Sequence, residues 1–189
     1  MKPTVALVGA EFEENLSIRY LASSIEREGF EAVIIPFNDS AAAREIARRV
    51  SLLDPLVVGI SVPFQMRARE LLGIADLVKQ SGISPHVTAG GHFATFEYDN
   101  ILRDFSGLDS VVRHEGERTF AELCVRVRDG ESLDGLPGAV VRIGHNIVDG
   151  GKRPLPPLDD LPFPDRRGRA HRLFGVPTSP IVGSRGCYA

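Results

Sequence analysis

Short apolar runs alternate with amphipathic stretches through the first two thirds of the chain. Thr4–Gly9 (T-V-A-L-V-G) is a continuous apolar run closed by glycine, the pattern of a strand buried on both faces. Ile18, Leu21, Ala22 and Ile25 then recur at helical spacing, and Gly29 ends that helix. Glu31–Pro36 is a second strand. Ala43, Ile46, Ala47 and Val50 mark a second helix, with Asp39 or Ser40 available as its N-cap. Leu56–Val62 is a third buried strand, followed by the stripe Leu71, Ile74, Ala75 and Val78 and a closing Gly82. His86–Ala89 and Asp109–Arg113 are the fourth and fifth strands. Their helices carry Tyr98, Ile101, Leu102 and Phe105, then Phe120, Leu123, Cys124 and Val127. Five strands alternating with five one-striped helices predict an α/β fold, a flavodoxin-like (βα)5 doubly wound parallel sheet with right-handed crossovers.

After Gly130 the pattern changes. Gly138–Ile143 and Asn146–Val148, joined through Gly144-His145, read as a small β-hairpin. Lys152–Pro164 holds five prolines in thirteen residues, which suits an extended linker. Arg166–Arg172 adds four arginines and a histidine, read as a solvated turn. Pro180–Ser184 reads as a strand just beginning, so the chain is expected to be cut from a longer protein. These changes divide it into a domain over 1–135, a hairpin extension over 136–151, a linker over 152–179 and the start of a further domain over 180–189.

Composition narrows the partners. Hydrophobic content of 43% and charged content of 25% are those of a soluble globular protein, and 189 residues make one domain of ordinary size, or one domain plus an appendage. A net charge of −3 gives no reason to expect nucleic acid or an anionic membrane. No apolar run approaches the roughly 20 residues needed to span a bilayer. Two cysteines, Cys124 and Cys187, make no disulfide framework, and the expected location is the reducing cytoplasm.

In open α/β sheets ligands bind beyond the carboxyl ends of the strands, near the switch in strand order. Four features collect there. The loop after strand one, Ala10–Leu16 (A-E-F-E-E-N-L), is long and acidic. Strand three ends in Ser61-Val62-Pro63, strand four in Gly90-Gly91-His92, and strand five in His114-Glu115-Gly116-Glu117. Paired glycines let the chain turn sharply and let a bulky ligand lie against bare main chain. Each feature also has a purely structural explanation: Ser61 as a turn cap, Glu115 and Glu117 as acids at a helix N-terminus, His92 and His114 as solvated loop residues. Cys124 sits on an apolar stripe and is assigned to the core.

Better-known modules of this shape do not fit. A phosphoreceiver domain needs aspartate where Ser61 stands, and a flavodoxin needs a Ser/Thr/Gly-rich loop after strand one. No G-x-G-x-x-G follows that strand either. An acidic loop disfavours a phosphate and favours a large, mostly neutral ligand with many amide groups.

Taken in order, the segments resemble a known family. Glu14-Asn15-Leu16-Ser17-Ile18-Arg19-Tyr20-Leu21-Ala22 is similar to an E-N-L-G-x-x-Y-L-A helix opening, and Gly59-Ile60-Ser61 to a strand-three ending. Gly90-Gly91-His92-Phe93-Ala94-Thr95 resembles a G-G-x-x-x-T turn, and Arg113-His114-Glu115-Gly116-Glu117 an R-G-E-G-E segment. Leu158–Arg166 resembles the linker ahead of a radical S-adenosylmethionine barrel. Ser184-Arg185-Gly186-Cys187 resembles the strand entering a C-x-x-x-C-x-x-C motif. The set resembles the N-terminal cobalamin (B12)-binding domain of B12-dependent radical SAM proteins, truncated at the first cluster cysteine.

The resemblance implies cofactor-binding roles for Glu14, Asn15 and Leu16, for Ser61 and Val62, for Gly90, Gly91 and His92, and for Glu115, Gly116 and Glu117. It implies that Cys187 is the first ligand of a [4Fe–4S] cluster in the longer protein. There the cluster would cleave S-adenosylmethionine and methylcobalamin would most often donate a methyl group, so the longer protein is expected to be an enzyme and this chain alone to be non-catalytic. The expected partners are its own C-terminal radical SAM domain and a small-molecule or peptide substrate. Two departures stand out. No D-x-H-x-x-G follows strand one, so cobalamin is expected base-off without a histidine from that loop. His114 also replaces the first glycine of G-E-G-E. Two alternatives are a non-catalytic ligand-binding or sensor module of the same fold, and a degenerate domain that no longer binds corrin.

Overall fold

The apolar runs become strands β1 (Thr4–Gly9), β2 (Glu31–Pro36), β3 (Val57–Ser61), β4 (His86–Gly90) and β5 (Ser110–Val112). The amphipathic stretches become helices α1 (Leu16–Arg27), α2 (Ala43–Leu53), α3 (Ala68–Gln80), α4 (His92–Asp104) and α5 (Glu117–Asp129). The computed structural model describes residues 1–167, 171–183 and 185. The five strands are parallel in the order β2-β1-β3-β4-β5, which is the flavodoxin-like α/β arrangement. The order reverses at β1, where the chain goes first to one side and then to the other.

Helices cover both faces because the strands are apolar on both. Ile46, Leu71 and Ile101, from α2, α3 and α4, pack on one face; Ile18, Ile25, Phe120 and Leu123, from α1 and α5, pack on the other. Cys124 is in this second cluster, fully buried, and burial pushes its thiol pKa well up. It is a core residue, as its stripe position predicts.

The hairpin forms at the expected place, as β6 (Ala139–Ile143) and β7 (Asn146–Asp149). It does not stand apart: β6 pairs antiparallel with β5, so the sheet runs on to seven strands. Ser110, Val111 and Val112 face Val141, Val140 and Ala139. The segment read as a linker contains a short 3-10 turn at Leu158–Asp160 and a two-stranded ribbon, β8 (His171–Leu173) with β9 (Val176–Thr178). Its first part lies along α1. The Asp165 amide donates to the Arg19 carbonyl at 3.1 Å, and Arg19 Nη1 donates back to the Asp165 carbonyl at 3.2 Å. Arg118 of α5 pairs with Asp160 at 2.8 Å, and Arg167 pairs with Glu26. Residues 180–183 form no strand, and Ser184 lies outside the described residues.

Candidate functional site

Three turns at the carboxyl ends of the strands are tied to one another. The Val62 amide donates to the Gly90 carbonyl at 2.7 Å, joining the ends of β3 and β4. Gly91 follows at φ +106°, and a Cβ there would lie 2.8 Å from the Val62 carbonyl oxygen, so only glycine fits this turn. The chain enters α4 at once, and Thr95 on its first turn accepts a 2.9 Å hydrogen bond from the His114 amide through Oγ1. His114 is held at φ +59°, in the left-handed region that a glycine fills without strain. Burial first, then the charges of Arg113 and Lys152, lower the His114 pKa.

These turns, with α1 and α5, enclose a cavity of about 330 Å³ beside the sheet. Leu7, Gly59 and Ile60 contribute from the strands, Tyr20 and Leu21 from α1, and Phe120 from α5. Two glycines let neighbouring side chains close on main chain at this wall. A Cβ on Gly59 would meet Leu7 and Phe120 at 3.0 Å, and one on Gly116 would meet Val112 Cγ1 at 3.3 Å. Val182 and Arg185, from the C-terminal stretch, complete the wall. Arg185 Nη1 donates to Glu115 Oε2 at 2.7 Å and to Glu117 Oε1 at 2.5 Å, and its guanidinium lies 4.4 Å over the Tyr20 ring. Burial acts to lower the Arg185 pKa, but the bonds and charges of Glu117 and then Glu115 outweigh it and raise the value.

Of the residues named from the sequence, Leu16, Ser61, Gly90, Gly91, Glu115, Gly116 and Glu117 come together on this cavity. Glu14, Asn15, Val62 and His92 do not line it. Asn15 caps α1, accepting from the Ile18 amide at 3.4 Å and donating through Nδ2 to the Ala10 carbonyl at 3.1 Å. Glu14 is paired with Arg19 and Arg166. Val62 is fully buried in the core, and His92 is exposed at the start of α4 with its ring edge-on to Phe96 at 5.0 Å. Cys187 lies outside the described residues. Among the described residues, no group of three or more His, Cys, Asp or Glu side chains is placed to hold a metal ion.

The acidity of the loop after β1 is largely cancelled in the fold. Arg19, itself buried, holds Glu11 Oε2 at 2.8 Å and Glu14 Oε1 at 3.6 Å. The loop's own sequence does not show this, because the arginine that answers it lies in the following helix. The same edge carries exposed Phe12, Phe64, Met66 and Phe96. A larger open groove of about 1250 Å³ runs along β2, but its walls include the paired Glu11, Arg19, Glu26, Asp165 and Arg167, and none of the glycine turns reaches it. The smaller cavity, apolar and seated at the switch in strand order, is the better candidate for a ligand.

The family model of the B12 binding domain matches residues 3–124. The chain belongs to the B12 binding domain family. It is 28% identical over 176 residues to an uncharacterised methyltransferase of Pyrococcus horikoshii, covering 91% of this chain and 38% of the relative. It is 26% identical over 163 residues to the anaerobic magnesium-protoporphyrin IX monomethyl ester cyclase of Rubrivivax gelatinosus, covering 81% of this chain and 29% of that one. The chain thus spans well under half the length of these curated relatives. Among solved structures, the fold matches the radical S-adenosylmethionine methyltransferase TsrM from Kitasatospora setae with cobalamin and a [4Fe-4S] cluster bound. The TM-score is 0.70 at 19% identity, over 80% of this chain and 31% of that one. It also matches the cobalamin-dependent S-adenosylmethionine radical enzyme OxsB with aqua-cobalamin and S-adenosylmethionine bound, at a TM-score of 0.71 and 21% identity, over 86% and 24%.

Proposed function

We propose that this chain holds cobalamin for a longer radical S-adenosylmethionine enzyme, with the cofactor's nucleotide tail in the cavity between the sheet, α1 and α5. The observation that carries this reading is the cavity itself, an apolar slot of about 330 Å³ at the carboxyl ends of β1, β3 and β4, with Gly59, Gly90 and Gly116 in its lining. A flat heterocycle fits an apolar slot lined by Leu7, Leu21 and Phe120, beside the main chain of Gly90 and Gly91. Exposed Phe12, Phe64, Met66 and Phe96 suit the broad face of a corrin. The loop Ala10–Asn15 brings no histidine, which favours base-off binding without a ligand from that loop.

Bound cobalamin supplies a cobalt centre that can carry a methyl group, and the chain's own residues position and shield it. Ser61 offers a hydroxyl, Glu115 and Glu117 offer acceptors, and the apolar wall excludes water. TsrM is a methyltransferase by name, and so is the Pyrococcus relative, which makes methyl transfer the favoured reaction of the longer protein. Cys187 is proposed as the first cluster ligand, and the following radical domain and its substrate as the partners.

The test is a titration with hydroxocobalamin and methylcobalamin, followed by desalting and an absorbance spectrum. Wild type is expected to retain corrin with a base-off spectrum. Gly116 has an ordinary helical φ of −85°, so Gly116→Leu enters the slot without backbone strain; its Cβ crowds Val112 at 3.3 Å, and corrin retention should fall out of proportion to the change in melting temperature. His92→Ala should leave the spectrum base-off. Retention by Gly116→Leu equal to wild type would place the tail elsewhere, and failure of wild type to retain corrin would favour a degenerate domain.

A further inference from the structure

Glu117 is 5% exposed, and its two carboxylate oxygens are used differently. Oε1 holds Arg185 at 2.5 Å, whereas Oε2 is buried on the cavity wall with no hydrogen-bond partner. A buried carboxylate oxygen without a donor is costly, and a ligand can recover that cost by supplying one. Arg185, held by Glu117 Oε1, lines the same cavity together with Val182.

We propose that Glu117 is shared between the cofactor and Arg185: Oε2 accepts a hydrogen bond from a neutral donor on bound cobalamin, while Oε1 keeps Arg185 docked, so that filling the cavity and docking the segment before Cys187 favour each other. This rests on the cobalamin reading above. The donor is a hydroxyl or an amide N–H, because Arg185 already supplies the cation between Glu115 and Glu117, and the ligand's phosphate is kept away by the same two carboxylates. Coupling of this kind is reciprocal: whatever Arg185 adds to cobalamin affinity, cobalamin adds to Arg185 docking.

Trypsin reads the docking directly, because the bond after Arg185 is a cleavage site. Hydroxocobalamin should slow cleavage there about tenfold in wild type, within the usual range of coupling between sites. Glu117→Gln should be cut rapidly whether or not hydroxocobalamin is present, while Glu115→Gln should keep part of the protection. Arg185→Gln should weaken hydroxocobalamin binding by about the same factor, and it gives the answer even where Glu117→Gln folds poorly. Cobalamin bound by wild type without any change in cleavage after Arg185, or bound equally by Arg185→Gln, overturns the coupling and leaves the site reading standing. A wild-type chain that binds no hydroxocobalamin overturns both.

Discussion

A Cβ on Gly91 would sit 2.8 Å from the Val62 carbonyl oxygen, at a φ of +106° that L-residues rarely adopt. Gly91→Ala should therefore destabilise the fold by about 2 kcal/mol or more, read as a lowered midpoint in urea unfolding. Gly59→Ala acts differently. Its Cβ would press on the ends of Leu7 and Phe120, both movable side chains, so the stability cost should be only about 1 kcal/mol. Phe120 lines the cavity, however, and its displacement should weaken corrin retention out of proportion to the change in melting temperature. The two glycines also differ in how visible they are from sequence. Gly90-Gly91 punctuates an apolar run before an amphipathic one, so its turn was legible. Gly59 lies inside an apolar strand, and what makes it matter, Phe120, comes sixty-one residues later. Tyr20 and Arg185 were hidden for the same reason: each helps wall the cavity through an aromatic–cation contact across distant segments.

Strands and helices followed their apolar periodicity closely, because each element must bury one stripe or both faces whatever its neighbours are. What periodicity did not give was the pairing of β6 with β5, since a hairpin's outer edge has no side-chain signature of the strand it will join. The opposite end of the sheet carries an element-scale charge problem. At the start of β4, His86 shares a 2.8 Å hydrogen bond with Ser110, and Lys79 pairs with Asp109 at 2.8 Å nearby. Burial lowers the His86 pKa from 6.5 to about 4, helped by Lys79 and opposed by Asp109. The folded chain then keeps this imidazole neutral down to about pH 4, whereas the unfolded chain protonates it near 6.5. Between those values protons favour the unfolded state, so stability should fall as pH drops, by about 3 kcal/mol from this group. Denaturant midpoints measured from pH 7 to pH 4 should fall less steeply for His86→Gln than for wild type.

The proline-rich stretch looks like a free linker in composition, yet it is fastened to helices that wall the cavity. Its fasteners were invisible in the sequence because several are main-chain groups: Arg19 holds the Asp165 carbonyl, and Arg27 holds the Asp160 carbonyl at 3.3 Å. Two kinds of contact are present, and salt separates them. Arg118–Asp160 and Arg167–Glu26 are between largely exposed or partly exposed side chains, so each contributes at most about 1 kcal/mol and is screened. The Arg19–Asp165 exchange is mostly shielded and includes a backbone hydrogen bond into α1. Hydrogen exchange at the Asp165 amide should therefore stay slow in about 0.5 M salt, where the Debye length is only a few ångström. Arg19→Ala should release it, bringing the segment's exchange close to that of an open loop, while Arg118→Ala should change it little. Fast exchange in wild type would mean that the stretch is free in solution and cannot set where Arg185 meets Glu115 and Glu117. Slow exchange that depends on Arg19 would mean that α1 positions both the wall of the cavity and the approach of the chain to Arg185.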